Sequence, residues 1–462
     1  MAERVSRIAG RFCPPEQDAL DRMLADLARP FAAMTRAVPA APKAIVAPHG
    51  PYEHSGALAA AAWTAAAQSQ PARIIVLSTA HHETFDGIGV PTGHDVVRVL
   101  DKRVRIDTRA CQALIRSGLA HGEETAFEDE HGIDAQLPFA RHFLPKVPVV
   151  PILIGRTDVR AVARAIDRLT RMQGETLFVL STDLSHLHGQ TRAQSLDTHC
   201  ARLLETGQPE ALSGLHACGY LALAGWLTSQ TGAGTRALRL GLHSAYHGTS
   251  RAGQGIGYGA WALYPPGASI VDTAARKALL EVARQGLVSR CRRGIAPVID
   301  SDSFAVQLRS HAASFVALKQ HGMPRGCAGS MTAHAPLVQD VVKNAIKAGF
   351  DDPRFDPIKD VDLPGLSLSI SVLSNPVHLP VSSEATLAEA LQPGISGVIL
   401  HDARQRALLL PSEWDRLDTP EAFVAALKRK AGFGARAWDE TMQALVFQTE
   451  AFSETPAQVD VA

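Results

Sequence analysis

Roughly the first 265 residues predict an α/β domain, a mainly parallel sheet with helices on both faces, and the remainder predicts a smaller α+β domain. Three observations carry this. Short, wholly apolar runs occur at 44–47 (AIVA), 74–77 (IIVL), 147–154 (VPVVPILI) and 177–180 (LFVL). Runs this short and this rich in Val and Ile suit strands buried on both faces. Helix-like stretches such as ALAAAAWTAAAQSQ and DVRAVARAIDRLTRM lie between them, and such alternation implies a parallel sheet. Near the Pro265-Pro266-Gly267 break the style changes. A long helix, AARKALLEVARQGLVSRC, then leads into strand-like LSLSISVLS (366–374) and SGVILHD (396–402) and helical TPEAFVAALKRKA (419–431). The division expected is 1–268 and 269–462, with a flexible, easily cut joint between about 265 and 275.

With 462 residues the chain is too long for one comfortable core. Its 46% hydrophobic and 20% charged residues are those of an ordinary globular protein. Lys plus Arg (46) balances Asp plus Glu (46), which argues against a nucleic-acid partner. The six cysteines are scattered, with no Cys-x-x-Cys pair, so neither a zinc ribbon nor a disulfide framework is expected. No apolar leader or membrane-length run is visible. A reduced, cytoplasmic setting without a membrane partner is the expectation.

Three of the first domain's strands run into polar residues. AIVA leads to Pro48-His49, IIVL to STAHH with His81 and His82, and LFVL to STDLSH with Asp183, Ser185 and His186. Open α/β sheets bind ligands outside the carboxyl ends of their strands. A fourth segment, EDEHGIDAQLPF, adds Glu130 and His131, and Cys218 stands just before an apolar helix. A helix N-terminus favours a thiolate, which is both a metal ligand and a nucleophile. Singly, each histidine reads as a turn cap or a carbonyl partner; together they point to a metal or catalytic site. His186, His131 and Asp183 are the candidate acid–base groups. Tyr52, His54 and Glu130 are candidate substrate contacts. In the second domain PRGCAG (324–329) reads as a tight turn that admits a ligand to Cys327, a candidate nucleophile, with Arg325 as a planar fork for a carboxylate or phosphate. A structural turn around a buried thiol is the competing reading. Asp352-Pro353-Arg354-Phe355 reads as a salt-bridged corner.

The segments APHGPYEHSG, STAHHETFDGI, EHGIDAQLPF, STDLSH and CG resemble, in order, the Memo family's APHAGYxYSG, GPxHH, EHSxExxLPF, SSDLSH and Cys-Gly. The resemblance covers about the first 265 residues. It implies a fold similar to the class III (LigB-type) extradiol dioxygenases, with His49, His81 and Cys218 as metal ligands and Asp183 and His186 lining the same cleft. Pro51, His54, Gly132 and Asp134 depart from the family pattern. The second part resembles the AMMECR-type domain through PRGCAG, AGFDDPRF, ISGVILHDARQRALLLP and LKRKAGF, over roughly 271–455. The two families accompany a radical SAM enzyme in the so-called AmmeMemoRadiSam set, which implies such an enzyme as a partner.

The leading expectation is a redox enzyme that uses Fe(II), or else Cu(I) or Zn(II), on a small aromatic substrate. A cysteine in the ligand set is softer and more easily oxidised than the carboxylate of ring-cleaving dioxygenases. The fused AMMECR-type domain would act on the same pathway. Two rivals stand beside this: an adaptor that binds a peptide or metabolite without turnover, as in the Memo family's animal signalling role, and a zinc hydrolase.

Overall fold

A computed structural model describes residues 2–31, 38, 40–246, 255–434 and 438–454. The chain divides into two compact units, Met1–Pro265 and Pro266–Ala462.

The first unit's strands are β1 (Glu3–Val5), β2 (Ala44–Ala47), β3 (Arg73–Thr79), β4 (Ile88–Val90), β5 (Val96–Val99), β6 (Lys102–Arg105), β7 (His121–Gly122), β8 (Val149–Ile154), β9 (Thr176–Ser181), β10 (His186–His188), β11 (Arg236–Tyr246) and β12 (Gly255–Tyr264). Nine of them form one sheet in the order β10-β12-β2-β9-β3-β8-β4-β7, with β11 also on β12. The centre, β2-β9-β3-β8, is parallel. Antiparallel partners join on either side, β12 on β2 and β4 on β8. Every residue of β2, β8 and β9 is buried, which is why these runs are apolar throughout.

The helices are α1 (Gln17–Ala28), α2 (Tyr52–Ala66), α3 (Thr108–Arg116), α4 (His131–Asp134), α5 (Leu137–Phe143), α6 (Val159–Thr170), α7 (Gln190–Glu205) and α8 (Tyr220–Thr228). Helix α2 packs on β2 and β12; its alanine run, 59–62, is wholly buried and lets the helix lie close to the sheet. Helix α8 packs on β3 and β9, with α6 against it. In register, Ala47 lies opposite Ser181, and Leu77 opposite Leu180. The carboxyl ends of β2, β9 and β3 are therefore three adjacent points on one edge.

In the second unit, α9 (Thr273–Arg293) packs on α10 (Leu337–Phe350). Asp272 caps α9 by accepting the Ala275 N–H at 2.8 Å, and Gly294 ends it at φ 74°. One sheet runs β14-β13-β15-β20: β13 (Ser314–Gln320), β14 (Met323–Gly329), β15 (Leu366–Leu373) and β20 (Thr449–Ser453). The other runs β16-β19-β17-β18: β16 (Val377–Leu379), β17 (Gly397–His401), β18 (Arg406–Leu409) and β19 (Gln443–Phe447). Helices α11 (Glu384–Ala390) and α12 (Pro420–Ala431) complete it, and α12 packs on β17 and β18 around the stacked Trp414 and Phe423.

Past the Pro265-Pro266-Gly267 break the chain is held within the second unit, and one sequence expectation, the turn at PRGCAG, changes. The joint after Pro266 is anchored to its own unit from Ser269 onward. Glu450 accepts bonds from Ser269 Oγ, from the Ile270 and Val271 N–H groups and from Arg276. PRGCAG is strand, not turn; the turn is His321-Gly322, both at positive φ, just before it. Its glycines serve close packing. A Cβ at Gly326 would stand 1.9 Å from the Ala348 carbonyl oxygen of α10, and one at Gly329 would strike the Phe315 ring.

Candidate metal centre

Parallel strands that end side by side bring His49, Asp183 and His81 to one edge, because these residues follow β2, β9 and β3 by two residues each. His49 is 1% exposed. Its Nδ1 lies 3.0 Å from Ser181 Oγ. The Ser181 hydroxyl donates to the Gly132 carbonyl at 2.6 Å and accepts from Gln136 Nε2 at 3.1 Å. With its one hydrogen committed, Ser181 accepts from His49, so Nδ1 carries the proton and Nε2 presents a lone pair. Gln136 is fixed in turn by Trp63 Nε1, which donates to its Oε1, and by the Pro48 carbonyl. Burial holds the His49 pKa well below its ordinary value, so the ring is neutral.

His81 is held in the same way by a carboxylate. Glu130 accepts its Nδ1–H at 2.7 Å and its backbone N–H at 2.8 Å. Glu130 also caps α4 by accepting the Gly132 N–H. This carboxylate–histidine pair turns Nε2 toward the cleft, the support that metal-binding histidines characteristically have. Burial works against the charged imidazolium, but Cys218 and Glu130 outweigh it and push the pKa up to about 10. Glu130 is itself lowered: burial opposes this, but the bond from His81 prevails.

His131 opens α4 and stacks on Phe12 with ring centres 5.0 Å apart. Its ring centre is 4.5 Å from that of His81 and 5.3 Å from that of His49. One nitrogen from each of these three histidines falls within 4.8 Å of the others. Burial, helped by the charge on His81, pulls His131 down to about 4. At neutral pH it is an uncharged donor and a poor general acid. It could serve as a ligand beside His49 and His81, in addition to the acid–base role expected from sequence.

Cys218 flanks the same pair. Its sulfur is 3.4 Å from His49 Nε2 and accepts the Asp183 N–H at 3.3 Å. Asp183 accepts the His49 N–H at 2.9 Å, with its other oxygen 3.9 Å from His49 Nε2. Burial pushes its pKa up to about 7, although the bond from His49 pulls the other way. The donor set fits a metal once an ion displaces the proton from His81: two neutral imidazoles, a third held in place by Glu130, a soft sulfur and a buried carboxyl lie together. His186 is exposed on β10, near enough to His49 and His81 for their charges to interact.

Three expected substrate contacts lie elsewhere or do something else. Tyr52 is 3% exposed, and its hydroxyl donates to the Ala135 carbonyl at 2.6 Å, so it is a core residue. Glu130 is 1% exposed and fully engaged with His81 and Gly132, so it positions His81. Arg325 donates to the Asp356 carbonyl at 2.6 Å and lies 3.6 Å from Asp362; the guanidinium near Cys327 is that of Arg354. His54 sits beside Glu53 at 3.1 Å, partly exposed at the start of α2. Two departures from the family pattern have local causes. A Cβ at Gly132 would meet Ser78 Oγ at 2.1 Å, and Asp134 forms a buried pair with Arg4.

Sequence reasoning missed Ser181, Gln136 and Tyr258. Ser181 ends an apolar strand, and Gln136 stands between the motif histidine and Leu137-Pro138; in one sequence neither differs from an ordinary polar residue. Tyr258 on β12 is buried with no hydrogen-bond partner for its hydroxyl among the described residues. That hydroxyl would stand 2.8 Å from a Cβ at Gly50, which explains the glycine directly after His49.

Two family models match separate stretches of the chain. The Memo-like protein family model matches residues 4–260, and the AMMECR1 model matches 280–452. A protein of Methanothermobacter thermautotrophicus is 30% identical over 182 residues, covering 38% of this chain and 93% of the relative. MEMO1 family protein MK0963 of Methanopyrus kandleri is 30% identical over 208 residues, covering 42% of this chain and 73% of its own. The crystal structure of uncharacterized protein PH0010 from Pyrococcus horikoshii aligns at TM-score 0.37 and 28% identity, over 39% of this chain and 91% of that one. With more than half its length matched, the chain belongs to the Memo family and carries an AMMECR1 region behind its Memo-like unit.

Proposed function

We propose that the first unit is a metal-dependent oxidoreductase of the extradiol dioxygenase-like type, acting on a small aromatic substrate. One observation carries this reading: His49 and His81 are each locked with Nε2 facing the space shared with His131 and Cys218. His49 and His81 would hold the ion together with His131 or Cys218. Fe(II) is the metal we favour, ahead of Cu(I) and Zn(II). Such an ion supplies Lewis acidity and, if it is iron or copper, an electron. Asp183, with its pKa near 7, holds or moves a proton beside it, and His186 meets the substrate. The second unit would act on the same substrate or its product through Cys327, with a radical SAM enzyme as partner.

Metal analysis of protein prepared without oxygen tests the first unit. We expect about one Fe(II) per chain and oxygen uptake with catechol-type compounds. A zinc-loaded protein that turns substrate over anaerobically would replace the redox reading with hydrolysis. No metal affinity at all would leave a binding protein.

A further inference from the structure

The second unit contains a cleft that the metal chemistry does not use. It measures about 840 Å³, ample for an organic molecule and much larger than an inorganic ion needs. Strand β14 forms one wall with Cys327, Ala328 and Gly329, and β18 the other with Arg406, Ala407 and Leu408. Four cations from four segments line it: Lys347 from the last turn of α10, Arg354, Arg406, and Lys430 from the last turn of α12. All four are exposed, whereas Cys327 is partly covered.

The carboxylates at the cleft do not cancel these charges evenly. Asp352 is fully engaged: it accepts two bonds from the Arg354 side chain and the Cys327 N–H at 2.8 Å. Glu413 is paired with Arg416 at 2.8 Å. Asp351 is the third acid of the lining. Lys430 is steadied by the Leu408 carbonyl at 2.9 Å and keeps further N–H donors. Among the described residues neither Lys347 nor Arg406 is in an ion pair. Beside the charges stand partly exposed apolar side chains, Phe315, Met331 and Leu410. A charged rim over an apolar wall is the layout of a site for an amphipathic ligand. Burial raises the Cys327 pKa, and Arg354 and Lys430 act against that rise, so both cations sense the thiol's position.

We propose that this cleft binds a small organic anion, a carboxylate or phosphate ester with an apolar body. Its charge lies between Arg406 and Lys430, and its body lies on Phe315 and Met331, alongside Cys327. This deepens the reading of Cys327 as a reacting thiol by naming what lies beside it. The binding claim rests on the cleft alone and is tested apart from any reaction.

The test uses the full chain and takes Cys327 as a reporter. Alkylation by anionic iodoacetate and by neutral iodoacetamide is followed at that residue by peptide mass spectrometry. The iodoacetate-to-iodoacetamide rate ratio should be about tenfold higher in the folded chain than at the same cysteine in urea, because a cation-lined cleft concentrates anions. Arg406→Gln and Lys430→Gln, both at exposed positions, should each lower that ratio about threefold with an unchanged melting temperature. Phenyl phosphate and benzoate are then added as protectants, and the stronger of the two separates phosphate esters from carboxylates. A ratio equal to that in urea, or unmoved by both variants, overturns the proposal. So does an absence of protection by either compound. Inorganic phosphate protecting as well as phenyl phosphate would overturn the organic body. Failure of the nucleophile reading looks different: Cys327→Ser would support full growth in a complementation assay, while the ratio and the protection stayed as stated.

Discussion

In the first unit, His49 is 1% exposed, and the side chains that support it, Ser181, Gln136 and Trp63, are bonded in series and equally buried. In the second unit, Arg354, Arg406 and Lys430 stand in solvent around a partly covered thiol. Both places gather titratable groups, but the supports differ. Bonded imidazoles have fixed orientations and cannot move away from one another, which suits an ion that demands geometry. Exposed cations on long stems adjust to a ligand and give charge instead of fixed direction. The contrast sets side chains suited to coordination against side chains suited to attraction.

The largest effect that could break this contrast is loss of the first site's ligands. His49→Ala or His81→Ala should lower metal affinity by more than about 100-fold, beyond the loss typical of supporting residues. Anaerobic calorimetry with Fe(II) would show it, and an unchanged affinity would remove either residue from the centre. The same titration on His131→Ala and Cys218→Ser decides which of them completes the set: the true ligand should fall with His49, and the other should change little. Next in size is the support. Glu130→Gln keeps a hydrogen-bonding group but loses the carboxylate that fixes His81, and should cost about 10- to 100-fold in metal affinity with the fold retained. A loss below threefold would mean that the orientation of His81 is set elsewhere.

In the second unit, Cys327→Ser should melt within a few degrees of wild type and fail to complement, because the thiol carries reactivity more than packing. A collapse of the melting temperature would instead make it a core residue. The smallest effect concerns Asp352. Arg354, against the cost of burial, holds its carboxyl well below the usual carboxylate range. The folded pKa thus lies below the unfolded one, so this stabilisation is present above about pH 4 and is lost as pH falls below that. Asp352→Asn should flatten the acid limb of the stability profile followed by circular dichroism. An unchanged limb would show that the Asp352–Arg354 pair contributes nothing measurable.

Much of the first site is legible because of a rule about sheets. A parallel strand must end in a loop at one edge, so a histidine or aspartate two residues after each of AIVA, IIVLST and TLFVLS has to arrive there. What joins the ligands is not written in such a pattern. Whether His131 or Cys218 lies nearer the other rings depends on how α4 and α8 are set against β3. Ser181 and Gln136 become informative only when their hydrogens can be counted. The second unit is less legible for a different reason. Gly326 and Gly329 give β14 a composition poor in strand formers, so PRGCAG reads as a turn although packing against α10 and Phe315 holds it extended. Arg354 is remote in sequence from Cys327, and the nearer Arg325 drew the role.

The two atoms that meet at the heart of the first site, His49 Nε2 and Cys218 Sγ, belong to residues 169 positions apart. A ribosome must therefore deliver nearly the whole first unit before the two can touch, and the intervening strands must already have paired in the order β2-β9-β3. No early fragment of the chain can hold an ion with the affinity of the finished site, because the geometry does not yet exist. Loading with the proposed ion would thus wait until nearly the whole first unit has folded. Which ion such a site took up would depend on what is available once the first unit has folded, not on what the emerging chain encounters first.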